Sequence, residues 1–518
     1  MFHDLYLLSY TYQVMLIKKD PSIIAAYFCD KSYLSGGHAD KVFFPENTSD
    51  IAGVLKEANR KVIPVTISGA GTGTTGGRIP RGGFVISMEK MKGINSEYSD
   101  KLKTVSVLSG TTLAELDDHL KPLNAFYPPD PTETSAFIGA TIANNSSGAR
   151  TFKFGATRDW IQELTIVLPE GKLINIERGK FFANNLDISL APIYNSLPAQ
   201  TLHLPDYIIP ETKNAAGYYS KPGMDIIDLF IGCEGTLGVI AGARLNVLPR
   251  PKHHLAFYLF LKSEQDAVKF AAELRCKRQK VRVLSSYKTE LIDPASIEYF
   301  DANALGILRP QFSHIPRNAC ACLYIEQLIG LLPSDSKDEG SVLSAWSEYF
   351  GNFESILIDI WCAQTEKEHH QFKDLRHGLP VAINETISQY GQPKVSMDFA
   401  VPENKFDKFY ELFRQVLVNS NIEWLAFGHI GDCHLHINML PKNNSEYKIS
   451  EIIYKQLSEI VVSLKGTVSA EHGIGKIKHP YLEIMYGKEG VTQMRAVKNV
   501  LDPQGILNPG NVYSVIIR

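Results

Sequence analysis

The chain has 518 residues, of which 44% are hydrophobic and 21% charged, and its formal net charge is −3. This composition is typical of a folded globular protein of two or more domains; it argues against a disordered chain and gives no basis for nucleic-acid binding. The seven cysteines are dispersed without a C-x-x-C pair, so neither an iron–sulfur cluster nor a thiolate zinc site is indicated, and a cytoplasmic location is expected, with peripheral membrane association as the alternative.

The chain opens with an apolar, uncharged stretch at 5–17, which is too short to span a bilayer and lacks the flanks of a signal peptide. We therefore predict an N-terminal helical arm over 1–37. From 38 to 250, strand-like runs alternate with helical segments, which predicts an α+β domain. The expected strands are 42–44, 62–67, 84–88, 102–108, 164–168 and 239–247, and the expected helices are 48–58 and 112–120.

Residues 251–500 carry longer periodic segments and predict a second α+β domain. The expected helices are 263–278, 342–352, 365–375, 403–419 and 451–464. The expected strands are 255–261, 322–327, 394–401, 425–429 and 434–440. The tail, 501–518, contains two prolines and two glycines close together and is predicted to be irregular.

A glycine-rich stretch, Ser68–Gly77, contains a G-x-G-x-x-G pattern that starts at Gly71. In a dinucleotide-binding fold a strand precedes this pattern and a helix begins inside it. Here a strand precedes it, but Pro80 and Gly82 follow and then a second strand, so no helix is expected. The stretch predicts a loop between two strands whose backbone N–H groups bind phosphates, with a glycine turn of no function as the alternative.

Two further segments, 128–150 and 231–240, combine glycines with small polar residues. Such residues let the backbone approach a flat polar ligand closely. Two other segments carry charged candidates. Glu471 and His472, flanked by glycines, offer a metal ligand and a proton acceptor, or else form a solvated loop. Arg376 is predicted at a helix end, where it binds a carboxylate through two parallel hydrogen bonds or forms a surface salt bridge.

Residues 427–438 predict a β-hairpin that turns at Gly431-Asp432. Alternation after the turn places His434, His436 and Asn438 on one face, and His429 returns across the hairpin to meet His436. Imidazole nitrogens suit zinc or another borderline divalent ion. The hairpin therefore predicts a metal site, with buried histidines bonded to the backbone as the alternative.

Together these segments resemble the flavoproteins of the vanillyl-alcohol oxidase/p-cresol methylhydroxylase superfamily, and within it the D-2-hydroxyacid dehydrogenase branch. The resemblance runs from about His38 to Val512. It implies an α+β fold: a two-part FAD-binding domain of the p-cresol methylhydroxylase type over 38–250, a substrate (cap) domain with an antiparallel sheet over 251–500, and a tail, 501–518, that returns to the FAD site.

The resemblance implies FAD as cofactor, and because the glycine-rich loop has no histidine, the FAD is expected to be non-covalent. The positions that match FAD contacts of the superfamily are Ser68, Gly69, Ala70, Gly71, Thr72, Gly73, Thr74, Gly76, Gly77, Pro129, Asp130, Ser135, Gly139, Ala143, Ser147, Gly148, Glu234, Gly238, Val239 and Asn508.

The branch also implies a divalent metal, zinc or manganese, held by residues matching His429, His436 and Glu471. By the same resemblance Arg376 binds the substrate carboxylate, Asn438 contacts the substrate, and His472 is the base; these three are the candidate catalytic residues.

The implied reaction is oxidation of a D-2-hydroxy acid, of the D-lactate, glycolate or D-2-hydroxyglutarate type, by hydride transfer to flavin N5. The electron acceptor is left open between a quinone, a flavoprotein and an iron–sulfur subunit, and a homodimer is one option for the assembly. The alternatives are an oxygen-using oxidase, a non-redox alkylglycerone-phosphate synthase-like transferase and a flavin-binding subunit without catalysis.

The chain departs from the branch at two places. The usual Gly-Asp-Gly-Asn after the first metal histidine is here Gly-Asp-Cys433-His434, so His434 is either a spare ligand or a determinant of substrate preference. The usual Tyr-Gly after the asparagine-rich segment is Phe154-Gly155.

Overall fold

The computed structural model describes residues 15–96, 104–191, 200–278, 290–331 and 338–514. Helices and strands alternate in both predicted regions, so the α+β class is confirmed. The strands of the first region are β1 Leu16–Lys18, β2 Lys41–Phe44, β3 Val65–Ser68, β4 Phe84–Ser87, β5 Ile94–Asn95, β6 Thr104–Leu108, β7 Ala125–Phe126, β8 Ile161–Val167, β9 Leu173–Glu177, β10 Asp187–Ser189, β11 Thr201–His203, β12 Val239–Asn246 and β13 Leu248–Pro249.

The remaining strands are β14 His253–Leu261, β15 Ser296–Asp301, β16 Ala321–Ile329, β17 Leu357–Ala363, β18 Val395–Ala400, β19 Trp424–Gly428 and β20 His434–Met439. The helices are α1 Pro21–Ile24, α2 Thr48–Lys61, α3 Leu113–Leu120, α4 Ile138–Asn144, α5 Thr151–Phe154, α6 Ile227–Phe230, α7 Glu264–Arg275, α8 Ala302–Leu308, α9 Glu339–Gly351, α10 Glu366–Tyr390, α11 Phe406–Ser420, α12 Asn444–Ser463 and α13 His479–Leu501.

The first region contains two main sheets. One has the order β1-β2-β4-β3, in which β2 and β3 both run parallel to β4. The other has the order β5-β6-β12-β8-β9, and all of its neighbours are antiparallel. Helix α2 buries Ile51 and Leu55 against the first sheet. Burial of one apolar stripe per helix is what gives such short elements their stability.

The predicted N-terminal helical arm is wrong where the structure describes it. Residues 1–14 of that prediction lie outside the described residues, but Leu16 and Ile17 belong to strand β1, which pairs with Phe44 and Phe43 of β2. An edge strand exposes unpaired backbone groups, and a short added strand satisfies them. Only the single turn α1 is helical further along this segment, followed by a 3-10 turn at Ala25–Tyr27.

The second region is built on one antiparallel sheet with the order β17-β14-β16-β15-β19-β20-β18, as the resemblance implied. Alternate residues of β14 face opposite sides: Phe257 packs in the core with Trp346 of α9, whereas Tyr258 packs in a second core with Phe372 of α10. Both faces of the sheet are therefore covered, and strands β14 and β16 are mostly apolar. Polar side chains inside such strands need a local reason.

Helix α10 differs from its prediction, which ended it near residue 375. It continues through Pro380 to Tyr390. Proline lacks the N–H that would bond to the carbonyl of Arg376, four residues earlier. The helix continues because its later turns bury Ile383 and Ile387 against the sheet. Helix α13 is absent from the predictions, and Gly487, at φ 70°, interrupts it.

The tail returns to the first region. The Val65 N–H donates to the Ile506 carbonyl at 2.8 Å, and the Asn508 N–H donates to the Val65 carbonyl at 2.8 Å. The predicted domain boundaries at 37, 250 and 500 stay predictions. Among the described helices, none combines the length and apolar character that crossing a bilayer requires.

Candidate functional site

The predicted hairpin is confirmed. Strands β19 and β20 pair antiparallel, with Phe427 opposite His436, and a 3-10 turn at Ile430–Asp432 joins them. The ring centroids of His429 and His436 lie 5.3 Å apart. Cys433 closes the turn at φ 54°, a left-handed conformation that favours glycine. This conformation accounts for the glycine that is usual in the branch at this position.

Glu471 brings a carboxylate to the two histidines. Its Oε1 lies 3.1 Å from His429 Nε2 and 3.3 Å from His436 Nε2. Its Oε2 accepts hydrogen bonds from Lys213 Nζ at 2.6 Å and from the Gly148 N–H at 3.2 Å. Burial alone would raise the pKa of Glu471, but the charges of Lys213 and His429 hold it well below its usual range. One oxygen is thus held by the first region while the other faces the imidazoles.

The three predicted metal ligands therefore converge. Ligand atoms of His429, His436 and Glu471, together with His434, all lie within 4.8 Å of one another. Buried Nδ1 atoms of His434 and His436 have no hydrogen-bond partner among the described residues. Imidazole nitrogens beside a carboxylate form the donor set that a borderline divalent cation takes. The residues present fit the implied metal.

Glu298, on β15, contacts both a candidate ligand and the candidate substrate arginine. One of its oxygens accepts from His429 Nδ1, and the other lies 3.3 Å from Arg376 Nε. Burial opposes ionisation, but Arg376 and His429 lower the pKa of Glu298 to about 2. Such an outer carboxylate orients the imidazole and sets which nitrogen faces the cation.

Asp398, on β18, is a second buried carboxylate that contacts the histidine cluster, as Glu298 does. It accepts from His434 Nε2 at 2.7 Å and from the backbone N–H groups of Glu471 and His472 at 3.2 and 2.9 Å. Burial disfavours its charge, yet His472 and the Lys478 ammonium hold the pKa of Asp398 well below its usual range. This one carboxylate therefore fixes both the loop that carries Glu471 and an imidazole of the hairpin.

His472 lies beside the cluster. Its ring stacks on that of His436 with centroids 5.0 Å apart, and its Nδ1 is 3.4 Å from Asp398 Oδ2. Burial lowers the pKa of His472 to about 4, against the effect of Asp398. The imidazole is therefore neutral at pH 7 and has a lone pair available for a proton.

Asn438 is buried on the same face of β20 as His436. Its Oδ1 has no partner among the described residues.

Arg376 is not at a helix end, and its alternative as a surface salt bridge is wrong. It lies in the middle of α10, and its side chain is 11% exposed. Burial disfavours its charge, but Glu298 and Glu326 raise the pKa of Arg376 further above its usual value. The hydrophobic stripe of α10 turns this residue toward the sheet, which explains the difference.

The glycine-rich loop joins β3 directly to β4, so the predicted absence of a helix is confirmed. Gly71 and Gly76 adopt φ 82° and 74°, which only glycine adopts freely. No protein atom lies within 4 Å of the position that a Cβ on Gly73 would occupy. A Cβ on Gly69, in contrast, would come within 2.9 Å of the Ala140 Cβ, so the loop touches α4. The loop is therefore open at Gly73, whereas Arg78 and Leu34 lie close to Gly71 and Gly76.

Several predicted FAD residues have partners within the chain. The Glu234 carboxylate accepts from the Ile474 and Gly475 N–H groups at 2.6 and 2.7 Å. The Asn508 side chain accepts from the Ile67 N–H at 2.7 Å and donates to the Glu234 carbonyl at 2.7 Å. These two side chains join the tail and the Glu471 loop to β3, so their interactions are structural. Their contact with FAD stays a prediction.

The other predicted FAD positions divide by burial and packing. A Cβ on Gly148 would lie 1.9 Å from the Asp130 carbonyl oxygen, one on Gly139 2.4 Å from the Ser109 Cβ, and one on Gly238 2.6 Å from Ile166 Cγ2. Close packing thus requires glycine at all three. The buried Ser147 hydroxyl donates to a backbone carbonyl, and the exposed Ser135 hydroxyl donates to Glu133. Pro129 and Val239 are buried, whereas Ala143 is half-buried.

The two groups of candidates meet at one loop. The Thr75 hydroxyl donates to the His472 carbonyl at 3.4 Å, and the Lys476 N–H donates to the Thr75 carbonyl at 2.8 Å. The segment that carries Glu471 is therefore hydrogen-bonded to the glycine-rich loop. These hydrogen bonds link the His/Glu cluster to the glycine-rich loop through the segment that carries Glu471 and His472.

Three residues at the site were missed: Glu298, Asp398 and Lys213. The first two are buried acids inside strands of the sheet, 296–301 and 395–400, the former of which also contains Asp301, and a buried acid in such a strand needs a partner. That signal was available. Lys213 had none beyond its position in a polar segment, because its partner Glu471 is 258 residues away.

Comparisons with known proteins show the family to which the chain belongs. The family described as FAD linked oxidases, C-terminal domain, matches residues 254–512, and the FAD binding domain family matches residues 39–177. The chain is 26% identical to glycolate oxidase subunit GlcD of Bacillus subtilis (strain 168), covering 92% of this chain and 89% of the relative. It is 27% identical to D-lactate dehydrogenase of Archaeoglobus fulgidus, covering 90% of each chain. It is 26% identical to D-2-hydroxyglutarate dehydrogenase of Xanthomonas citri pv. viticola, covering 96% of this chain and 94% of the relative.

Solved structures show the same fold. The 4-ethylphenol oxidase from Gulosibacter chungangensis is similar with a TM-score of 0.67 at 15% identity, covering 97% of this chain and 95% of that one. An alkyldihydroxyacetonephosphate synthase is similar with a TM-score of 0.62 at 15% identity, covering 98% and 84%. The C-terminal family match alone spans half of the chain, and the FAD-binding match adds most of the first region. The chain belongs to the FAD linked oxidases.

Proposed function

We propose that this protein is an FAD-dependent dehydrogenase that oxidises a D-2-hydroxy acid to the 2-oxo acid. The observation that carries the proposal is the meeting of a His/His/Glu cluster with the glycine-rich loop, through the hydrogen bond from Thr75 to His472. When bound, FAD supplies the hydride acceptor and the divalent cation, zinc or manganese, supplies a Lewis acid. His429, His436 and Glu471 would hold the cation.

The substrate carboxylate binds Arg376. Glu298 holds the guanidinium through its Nε at 3.3 Å, which leaves the two terminal nitrogens for a carboxylate. The Asn438 amide, buried on the same face of the sheet as His436, donates to a second oxygen of the substrate. The contacts with Arg376 and Asn438 fix the orientation of the hydroxy acid, so that its C2 hydrogen points in a single direction.

His472 accepts the hydroxyl proton. Its low pKa keeps it neutral at pH 7, and Asp398 beside Nδ1 stabilises the imidazolium that forms. Lys213 and the Gly148 N–H hold Glu471 in place and keep it ionised throughout. Both groups come from the first region, so residues of both regions build the site.

The relatives support the substrate class. Their names specify glycolate, D-lactate and D-2-hydroxyglutarate, and each aligns over nine-tenths or more of this chain. All three substrates present a hydroxyl next to a carboxylate. The proposed electron acceptor is a quinone, a flavoprotein or an iron–sulfur subunit. The proposed location is the cytoplasm or the membrane surface, and a homodimer is one form for the assembly.

The test is anaerobic reduction of the purified flavoprotein by a panel of D- and L-2-hydroxy acids. Bleaching near 450 nm by one D-acid and not by its L-enantiomer is expected. Bleaching by none of them, with exchange of acyl for alkyl groups instead, would favour the synthase-like alternative. Rapid peroxide formation after readmission of air would favour the oxidase. A preparation that binds no FAD would contradict the proposal as a whole.

A further inference from the structure

His434 is a third imidazole in the cluster, at a position where the branch usually has asparagine. Its ring centroid lies 5.0 Å from that of His429 and 4.6 Å from that of His436. The side chain is fully buried. A buried imidazole needs a partner for each nitrogen, since an unpaired one loses its hydration without compensation.

Among the residues that the structure describes, a partner is found for one of its two nitrogens. Nε2 donates to Asp398 Oδ1 at 2.7 Å, which leaves Nδ1 with the lone pair. Nδ1 is buried and has no hydrogen-bond partner among the described residues. One ligand atom of His434 lies within 4.8 Å of those of His429, His436 and Glu471. A carboxylate on one nitrogen and an acceptor lone pair on the other is the arrangement of metal-ligating histidines.

We propose that His434 is a fourth protein ligand of the cation, through Nδ1, and this rests on the metal site of the proposed function. Four protein ligands complete the shell of a tetrahedral zinc ion and close it to substrate. A hydroxy acid that also binds through two oxygens requires a six-coordinate ion. The chain should therefore retain its ion more tightly than a three-ligand site, and turn over best with an ion that accepts six ligands, such as manganese.

The test uses the full-length flavoprotein, stripped of metal and titrated with Co²⁺, whose visible absorption reports coordination number. Wild type, His434→Asn and His436→Ala are compared, and the flavin spectrum confirms folding in each. We expect one Co²⁺ per wild-type chain, and a changed band with affinity weaker by about 10-fold or more in H434N. An H434N spectrum and affinity that match wild type, with binding lost in H436A, would overturn the proposal for His434 alone.

A measurement on the wild type does not depend on the fold of the variant. Paramagnetically shifted imidazole N–H signals of the Co²⁺ protein should correspond to three ligating histidines, and two would contradict His434 as a ligand. Failure of the proposed function has a different signature. In that case wild type and H436A bind Co²⁺ equally poorly, and no shifted imidazole signal is seen.

Discussion

The two regions build their parts of the site in different ways. In the first, the candidate residues are mostly glycines and small polar groups whose side chains, like that of Ser147, are satisfied within the chain. In the second, the candidates are buried histidines with unpartnered nitrogens and carboxylates held in ionised form. The first region offers its backbone, and the second offers its side chains.

This difference indicates which substitutions should reduce activity without affecting the fold and which should affect both. A backbone site cannot be altered without disturbing the fold that shapes it where its glycines are required by φ or by packing, as at Gly71 and Gly148. A side-chain site can be emptied of one ligand while the sheet beneath it persists. The predictions below test that distinction.

The largest effect is expected from His436→Ala. Loss of a ligand should lower kcat/KM by roughly 10²–10³-fold or more, because the cation contributes several kcal/mol to the transition state. Flavin content and thermal stability should stay close to wild type. His370→Ala is the matched control, since His370 is exposed on α10 and bonds only a backbone carbonyl. Equal loss of flavin and activity in H436A would show that this site, too, cannot be separated from the fold.

Gly148→Ala should behave in the opposite way. A Cβ there would lie 1.9 Å from a backbone oxygen, at φ 78°, so a destabilisation of about 3 kcal/mol is expected, with flavin and activity lost together. Gly179→Ala is the control: it has φ 86° but no atom within 4 Å, so only the conformational strain remains. Denaturant unfolding and flavin release measure both variants. A stable, flavin-loaded but inactive G148A would contradict the backbone interpretation of the first region.

Glu298→Gln should affect two properties at once. The carboxylate contacts both Arg376 and His429, so we expect a higher KM for the hydroxy acid together with metal affinity weaker by about 10- to 100-fold. Glu264→Gln is the control, because Glu264 is a buried acid of the same region that contacts Arg414, Tyr410 and the Ala302 N–H instead of Arg376 and His429. Steady-state kinetics and metal titration provide the two readouts. A change in KM without a change in metal affinity would mean that Glu298 positions Arg376 but does not support the metal site.

The smallest effect is expected from Thr112→Ala, away from both sites. Thr112 and Glu115 form the capping box of α3, and its loss should reduce the unfolding free energy by about 1 kcal/mol. Turnover and flavin content should not change. Asp118→Ala, in the same helix but outside the cap, serves as the control, and urea unfolding compares them. A loss of activity in T112A would place α3 closer to the chemistry than its contacts indicate.

Elements that are specified by a short stretch of sequence could be predicted. The capping box of α3, the loop between β3 and β4 and the hairpin of β19 and β20 all follow from patterns shorter than a dozen residues. The errors arose where a distant partner decides the outcome. Strand β1 forms because β2 has a free edge, and α10 passes Pro380 because its apolar face meets the sheet.

By itself, the sequence determined the residue types available for chemistry: a glycine-rich loop unable to start a helix, and imidazoles alternating along one strand. Backbone sterics and the two-residue period of a strand are enough for that. Only the tertiary structure decided which groups meet. Glu298 and Asp398 hold the histidines, and Lys213 holds Glu471, across 131, 36 and 258 residues of chain. Electrostatic and hydrogen-bond contacts depend on distance in space, which the order of residues does not specify.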